Sequence, residues 1–106
     1  VAAFVAALAH PHVGMMVDVK SMSSERMPIV DNLRTWAGRF AHVHANDANG
    51  RGPGFGTVDF RPVLVTLQDQ GYEGFVSVEV FDFTGGAELI AARSLEYLRA
   101  CRGATP

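Results

Sequence analysis

Several features that define large classes of proteins are scarce in this 106-residue sequence. It has one cysteine, Cys101, so no disulfide can form within it, which leaves the redox compartment open but leans towards the cytoplasm. Nine basic and eleven acidic residues give a formal net charge of −2 without a basic block, which argues against nucleic acid as a partner. The longest apolar run, 1–9, is shorter than the roughly 20 residues that cross a bilayer, so no membrane partner is expected. The sequence opens on Val1 within a helical pattern, which is typical of a piece of a longer protein.

What is present is an alternation of helical and extended hydrophobic patterns. Apolar residues at helical spacing predict helices, and continuous or alternating apolar runs predict strands. Strands joined by helices favour right-handed crossovers, which place the strands side by side and parallel, with their carboxyl ends along one edge. The prediction is an α/β fold with helices at 1–10, 28–38, 59–71 and 87–100, strands at 13–18, 39–45 and 74–80, loops at 21–25 and 46–58, and a frayed tail at 102–106.

The stretch 42–47, His-Val-His-Ala-Asn-Asp, closes the second predicted strand. Because side chains alternate along a strand, His42, His44 and Asn46 face one side while the apolar residues between them face the other. A parallel barrel presents its active site in this way, at the carboxyl ends of its strands. The glycine-rich loop that follows lacks the spacing of a phosphate-binding loop, and its length predicts a mobile lid over a site.

Each predicted strand delivers a potential metal ligand at its carboxyl end: Asp18, His44 and Glu79. Packing explains these residues poorly, because unpaired charges are rarely buried. A divalent cation would account for all three, and two carboxylates with one imidazole suit manganese, magnesium, cobalt or zinc. The simpler alternatives are that Asp18 caps the turn after its strand and that His44 is an ordinary hydrogen-bonded histidine at the edge of the sheet.

Four ordered motifs carry a family resemblance: Met-Val-Asp at 16–18, His-Val-His-Ala-Asn-Asp at 42–47, Gly-Phe-Gly-Thr-Val-Asp-Phe at 54–60 and Gly-Tyr-Glu-Gly-Phe-Val-Ser-Val-Glu at 71–79. They resemble the carboxyl-terminal part of the xylose-isomerase-like TIM barrels. That superfamily includes sugar and sugar-phosphate isomerases and epimerases, inosose dehydratases and endonuclease IV repair enzymes. The resemblance spans nearly the whole chain. It implies that 1–106 is one partial barrel domain of about three βα units, strands six to eight, with the amino-terminal strands absent.

The resemblance also implies a mechanism. In the family, a divalent metal is held by a glutamate from the fifth strand, an aspartate from the sixth, a histidine from the seventh and a glutamate from the eighth. By that correspondence Asp18, His44 and Glu79 are the last three ligands, and the first lies on an absent strand. The implied reaction is that of a sugar or sugar-phosphate isomerase or epimerase, in which Glu79 also moves a proton beside a carbonyl through an enediolate.

Other polar residues at the same end receive weaker assignments. The resemblance puts Arg51 where epimerases have an arginine near the substrate, and Ser21 where they often have a histidine. Lys20, beside it, is a candidate for holding an anionic part of the substrate or acting as an acid. His42, deeper in the strand, is predicted to contact substrate or to pack behind the ligands. Asn46 is predicted to contact substrate or to close the turn.

Alternative functions stay open at this point. Three parallel strands cannot close a barrel, so the sheet edges and inner face need missing strands or self-association to cover them. The segment is then either part of an enzyme for small sugars or an inactive fragment that serves as an association module. An endonuclease IV-like nuclease fits less well, because no histidine follows His44 and no basic surface is expected. An inosose dehydratase is a further alternative within the family.

Overall fold

The computed structural model describes residues 1–103 and has the predicted α/β architecture, with a three-stranded parallel sheet in the order β1-β2-β3. Within that range, no helix combines the length and the apolar character needed to cross a membrane. The elements are α1 (Ala2–Leu8), β1 (Met15–Asp18), α2 (Val19–Ser23), α3 (Ile29–Thr35), β2 (Phe40–Ala45), α4 (Phe60–Asp69), β3 (Phe75–Val78) and α5 (Ala87–Gly103).

The strands pair in a register that puts polar residues in one row across the sheet. Asp18 lies beside His44, and His44 lies beside Ser77. Glu79 follows directly after β3, where its N–H donates to the carbonyl of Ala45. Because residues in register point to the same face and alternate along each strand, Asp18, His44 and Glu79 all belong to the inner face.

The hydrophobic core lies between the outer face of the sheet and the helices, with α4 packed between α3 and α5. None of the described residues covers the inner face in this way, since Met16 is 46% exposed and Phe75 is 79% exposed. This open face is what three strands of an unclosed barrel are expected to leave. Fully or almost fully buried residues of the core include Val19, Leu33, Val43, Ala45, Phe60, Val63 and Leu67.

The segment after β1 is helical as far as Ser23, so the prediction of a loop at 21–25 is wrong for residues 21–23. Asp18 Oδ1 accepts a hydrogen bond from the Ser21 N–H at 2.8 Å and caps α2. Val19 and Met22 are buried on the inward side of this short helix. The run of serines favoured a loop by composition, but the cap and the two apolar residues three positions apart determine the structure.

Two helix ends also differ from the prediction. Helix α3 ends at Thr35 and not near residue 38, because the chain turns back through a hydrogen bond from the Arg39 N–H to the Trp36 carbonyl. Helix α5 continues to Gly103, so residues 102 and 103 of the predicted tail are helical. The remaining tail, 104–106, lies outside the described residues.

The loop 46–58 is held by many hydrogen bonds. Asp47 Oδ1 accepts from the N–H groups of Ala48 and Val58, at 2.8 and 3.2 Å. The carbonyl of Gly50 accepts from the N–H groups of residues 81 and 82, at 2.8 and 3.0 Å, and Pro53 is fully buried. These contacts tie the loop to itself and to the loop after β3, which argues against the predicted mobile lid and favours a fixed wall.

Gly52 sits where this loop packs on α5, and we expect Gly52→Ala to destabilise the protein. A Cβ at this position would overlap Ser94 Oγ and lie 2.9 Å from Ile90 Cγ2. Ser94 and Ile90 are buried, so the helix has little room to move away. The expected loss is about 1–3 kcal/mol in the free energy of unfolding, measured by urea denaturation of the full-length protein.

Gly14→Ala is the matched control, because no atom lies within 4 Å of a Cβ there. It should leave the free energy of unfolding unchanged or slightly higher. Adding Ser94→Ala to Gly52→Ala should restore part of the loss by removing the overlapping oxygen. Equal stability of Gly52→Ala and Gly14→Ala would refute this account of the loop.

Candidate metal centre

Asp18, His44 and Glu79 converge at the carboxyl edge of the sheet. One ligand atom from each lies within 4.8 Å of the other two. His44 Nδ1 is 3.0 Å from Glu79 Oε2 and 3.8 Å from Asp18 Oδ2. Each of the three side chains is partly buried, so the cluster is reachable from the open end of the strands. The structure thus brings together the three residues that the sequence analysis placed at one edge of the sheet.

His44 Nδ1 lies close to both carboxylates without a hydrogen bond to either. The atom is buried and makes no hydrogen bond among the described residues, although Glu79 Oε2 is only 3.0 Å away. A short distance alone does not make a hydrogen bond, which weakens steeply when donor and acceptor are misaligned. Neighbouring ligands of one ion, bound at about 2.0–2.2 Å each, lie about 3–4 Å apart. The separations of His44 Nδ1 from the two carboxylate oxygens fall in this range.

The side-chain amide of Asn46 joins the two carboxylates. Asn46 is fully buried, and its Nδ2 donates to Asp18 Oδ2 and to Glu79 Oε2, both at 2.9 Å. Its Oδ1 accepts from the Lys20 N–H at 2.8 Å. The amide is therefore used within the protein, which favours positioning of the carboxylates over the predicted contact with substrate. Strand alternation placed Asn46 on the correct face. Its hydrogen-bond partners lie at the ends of two other strands, so the sequence around Asn46 does not predict them.

The two oxygens of Asp18 have separate functions. Oδ1 caps α2, while Oδ2 faces Asn46 and His44. Burial alone raises the pKa of Asp18, but hydrogen bonds from the Asn46 side chain and from Ser21 outweigh burial and hold that pKa below its usual value. The group is thus a carboxylate at neutral pH, the form in which it can bind a cation. The simple alternative of a capping aspartate is correct, and it is compatible with a ligand role.

His42 lies on the same face, deeper in the sheet. Its ring is edge-on to the His44 ring, with centroids 5.2 Å apart. In register it is flanked by Met16 and Phe75, the exposed apolar residues of the inner face. This position favours support of the His44 ring, one of the two interpretations made from the sequence.

Arg51 lies in the loop after β2 and Lys20 lies in α2, and among the described residues neither side chain bonds Asp18, His44 or Glu79. Arg51 Nη2 donates to the Thr84 carbonyl at 2.8 Å, and its Cζ is 4.7 Å from the centroid of the Phe55 ring. Arg51 therefore links the loop after β2 to the loop after β3. Lys20 Nζ is 5.8 Å from the centroid of the Phe81 ring. Neither contact tests the predicted substrate role.

The donor set fits a divalent cation. Two carboxylates and one imidazole supply hard and borderline ligands, and together they balance a charge of +2. Asn46 holds the carboxylates in place, as hydrogen-bonding groups behind metal ligands commonly do. An ion at this point would polarise a carbonyl or hydroxyl bound beside it.

Comparison with known proteins identifies the fold family. The family described as xylose isomerase-like TIM barrel matches residues 1–101. The chain belongs to this family. Among curated proteins, D-psicose 3-epimerase of Agrobacterium fabrum is 33% identical over 84 residues, 79% of this chain and 29% of the enzyme. Fructoselysine 3-epimerase of Escherichia coli O157:H7 is 27% identical over 96 residues, 85% of this chain and 35% of the enzyme. The chain thus spans about a third of these relatives.

Solved structures of other proteins match the fold. A D-psicose 3-epimerase crystallised in the presence of D-fructose matches 97% of this chain and 43% of its own, with a TM-score of 0.84 and 27% identity. A 3-keto-D-glucoside 4-epimerase from E. coli in its apo form matches 92% of this chain and 37% of its own, with a TM-score of 0.82 and 26% identity. These relatives are sugar epimerases.

Proposed function

We propose that this chain is the carboxyl-terminal part, strands six to eight, of a divalent-metal-dependent sugar epimerase. The observation that carries the proposal is the convergence of Asp18, His44 and Glu79, with His44 Nδ1 close to both carboxylates but hydrogen-bonded to neither. The similar proteins are epimerases, which favours epimerisation over the other activities of the superfamily. In this proposal 1–106 is one partial barrel domain.

The three residues would hold a manganese, magnesium, cobalt or zinc ion, which when bound supplies positive charge beside the sugar's carbonyl oxygen. Glu79 removes the proton from the carbon next to the carbonyl and forms a new O–H bond, while the C–H electron pair moves into the enediolate. Reprotonation of that carbon from the opposite face gives the epimer. Asn46 keeps the Glu79 carboxylate oriented throughout, because its Nδ2 donates to Oε2.

The remaining residues have supporting roles in this proposal. Lys20 lies beside the bound sugar, on the loop side of the centre. Arg51 shapes the wall through its bond to the Thr84 carbonyl, and His42 supports the His44 ring. The second acid or base, on the opposite face of the sugar, belongs to strands outside this chain.

A second candidate rests on the exposed apolar residues of the inner face, Met16 and Phe75. On its own the 106-residue segment would act as an association module, since an open face and open sheet edges bind further strands. Sedimentation of the isolated segment would test this candidate: a monomer with a sharp two-state melt at low concentration would contradict it.

The proposed activity is tested by incubating the full-length protein with ketoses in D₂O, with each divalent metal or with a chelator. We expect epimer formation with deuterium at the epimerised carbon, present with metal and lost with chelator. Unlabelled epimer would contradict proton transfer through solvent-exchanging groups, and equal rates in chelator would contradict metal dependence. Ketose screening, by the same readout, identifies the preferred substrate.

A further inference from the structure

The guanidinium of Arg51 is bound by the protein itself. Its Nη2 donates to the Thr84 carbonyl at 2.8 Å, and its Cζ is 4.7 Å from the centroid of the Phe55 ring, which is within the range of a cation–π contact. Its Nε is buried, so a sugar at the candidate metal centre does not reach that donor. The side chain is therefore set between two loops and is engaged with the loop after β3.

Two adjacent residues of the loop after β2 hold the loop after β3. The Gly50 carbonyl accepts from the N–H groups of Phe81 and Asp82 at 2.8 and 3.0 Å, and Arg51 holds the Thr84 carbonyl. Between these two points, Asp82 Oδ1 accepts from the N–H and the hydroxyl of Thr84, at 3.0 and 2.6 Å. That pair of bonds fixes the turn that carries the Thr84 carbonyl, so both sides of the turn are tied down.

The hydrogen bonds that hold this loop lead back to Glu79, which directly precedes it. The Gly50 N–H donates to the Asp47 carbonyl at 3.0 Å, and the Asp47 N–H donates to the Arg51 carbonyl at 2.9 Å. Asn46, the residue before Asp47, donates to Glu79 Oε2 at 2.9 Å. Glu79 is therefore held from two sides, its carboxylate by Asn46 and the chain that follows it by Gly50 and Arg51.

We propose that Arg51 is a positioning residue, which acts on catalysis through Glu79 and does not contact the sugar. The proposal rests on the proposed function, because it takes Glu79 as the base, and it departs from the substrate contact that the family resemblance implies for Arg51. Without the bond to the Thr84 carbonyl, the far side of the turn is released, and the chain that follows Glu79 gains freedom. Proton transfer from carbon is sensitive to small misplacements of the base.

The first test measures kcat and KM of the full-length protein, at saturating metal, for each ketose that it epimerises. We expect Arg51→Met to lower kcat about 10-fold on every ketose while KM changes by less than about 2-fold. Arg51→Lys should recover part of the loss, because an ammonium still donates to the Thr84 carbonyl. Arg34→Met removes an exposed charge on α3 and should leave both constants unchanged. A higher KM with unchanged kcat would overturn the inference, since a residue that binds the sugar gives that result.

Asp82→Ala releases the same turn from its other side. Asp82 is exposed, so the variant should fold, and it tests the inference even where Arg51→Met does not fold. We expect a lower kcat with an unchanged KM, as in Arg51→Met. The double variant should lose less than the product of the two single losses, because both changes free one turn. Wild-type kcat in Asp82→Ala, or losses that multiply in the double variant, would count against a shared turn.

Amide hydrogen exchange tests the same contact without turnover. In the full-length protein, peptides that cover 81–86 should exchange about 10-fold faster in Arg51→Met than in wild type, because a hydrogen bond from a charged group is lost. Peptides that cover α3 should exchange at the wild-type rate. Faster exchange in a protein that epimerises no ketose would support the hold of Arg51 on the loop while the proposed function fails. Unchanged exchange over 81–86 would overturn the inference.

Discussion

Glu79→Gln is expected to lower the kcat of the full-length protein by about 10²–10⁴-fold, the range typical of removing a general base. Glutamine keeps the size of the side chain, and its amide oxygen can still accept from Asn46 Nδ2, which lies 2.9 Å from the present carboxylate. The glutamine cannot take a proton from carbon at neutral pH. It offers a cation a neutral amide oxygen in place of a charged carboxylate. The fold should survive, since Glu79 is partly exposed and belongs to no hydrophobic core. Stopped assays of epimer formation at saturating metal give kcat.

Glu73→Gln is the matched control for this change. Glu73 is exposed in the turn before β3, so the same chemical change occurs at the opposite end of the strand from the site. Its kcat should equal that of wild type. A folded Glu79→Gln protein that binds metal and turns over at the wild-type rate would show that another group moves the proton.

The convergence of the three potential ligands could be predicted from sequence because it depends on two regular quantities. Strand alternation determines the face of each side chain, and right-handed parallel crossovers bring the three strand ends to one edge. Asp18, His44 and Glu79 each end or follow a strand whose apolar run is clear. The register that places Asp18 beside His44 is a finding of the structure, since alternation and crossover direction leave it open.

The contacts of the loops could not be predicted in this way. The role of Asn46 depends on hydrogen bonds to residues 28 and 33 positions away, and Arg51 bonds a carbonyl 33 positions away. No periodic pattern in the sequence indicates such hydrogen-bonded pairs, because they depend on how one loop packs on another. Helix α2 was missed for a related reason, since composition favoured a loop while the cap by Asp18 and the burial of Met22 favoured a helix.

Asn46→Ala is expected to weaken divalent-metal binding by about 10–100-fold, the usual effect of removing a hydrogen-bonding group behind metal ligands. Asp18 and Glu79 would lose the donor that lies 2.9 Å from each of them, and their like charges would then repel. The protein without metal should also lose about 2 kcal/mol in the free energy of unfolding, because hydrogen bonds to charged groups are lost. The pKa of Asp18 should rise, since burial then acts against fewer hydrogen bonds. Metal titration by calorimetry and urea denaturation measure the two effects.

Asn49→Ala provides the comparison, because it removes the same side chain from the same loop. Asn49 Nδ2 donates to the Phe55 carbonyl at 3.0 Å, and the residue is exposed, so we expect no change in metal affinity and a smaller loss of stability. Added metal should recover more stability in Asn49→Ala than in Asn46→Ala, since stabilisation by a ligand grows with its affinity. Equal metal affinities in the two variants would contradict this prediction. They would mean that Asp18, His44 and Glu79 keep their geometry without the bridging amide, and that the ion itself orders them.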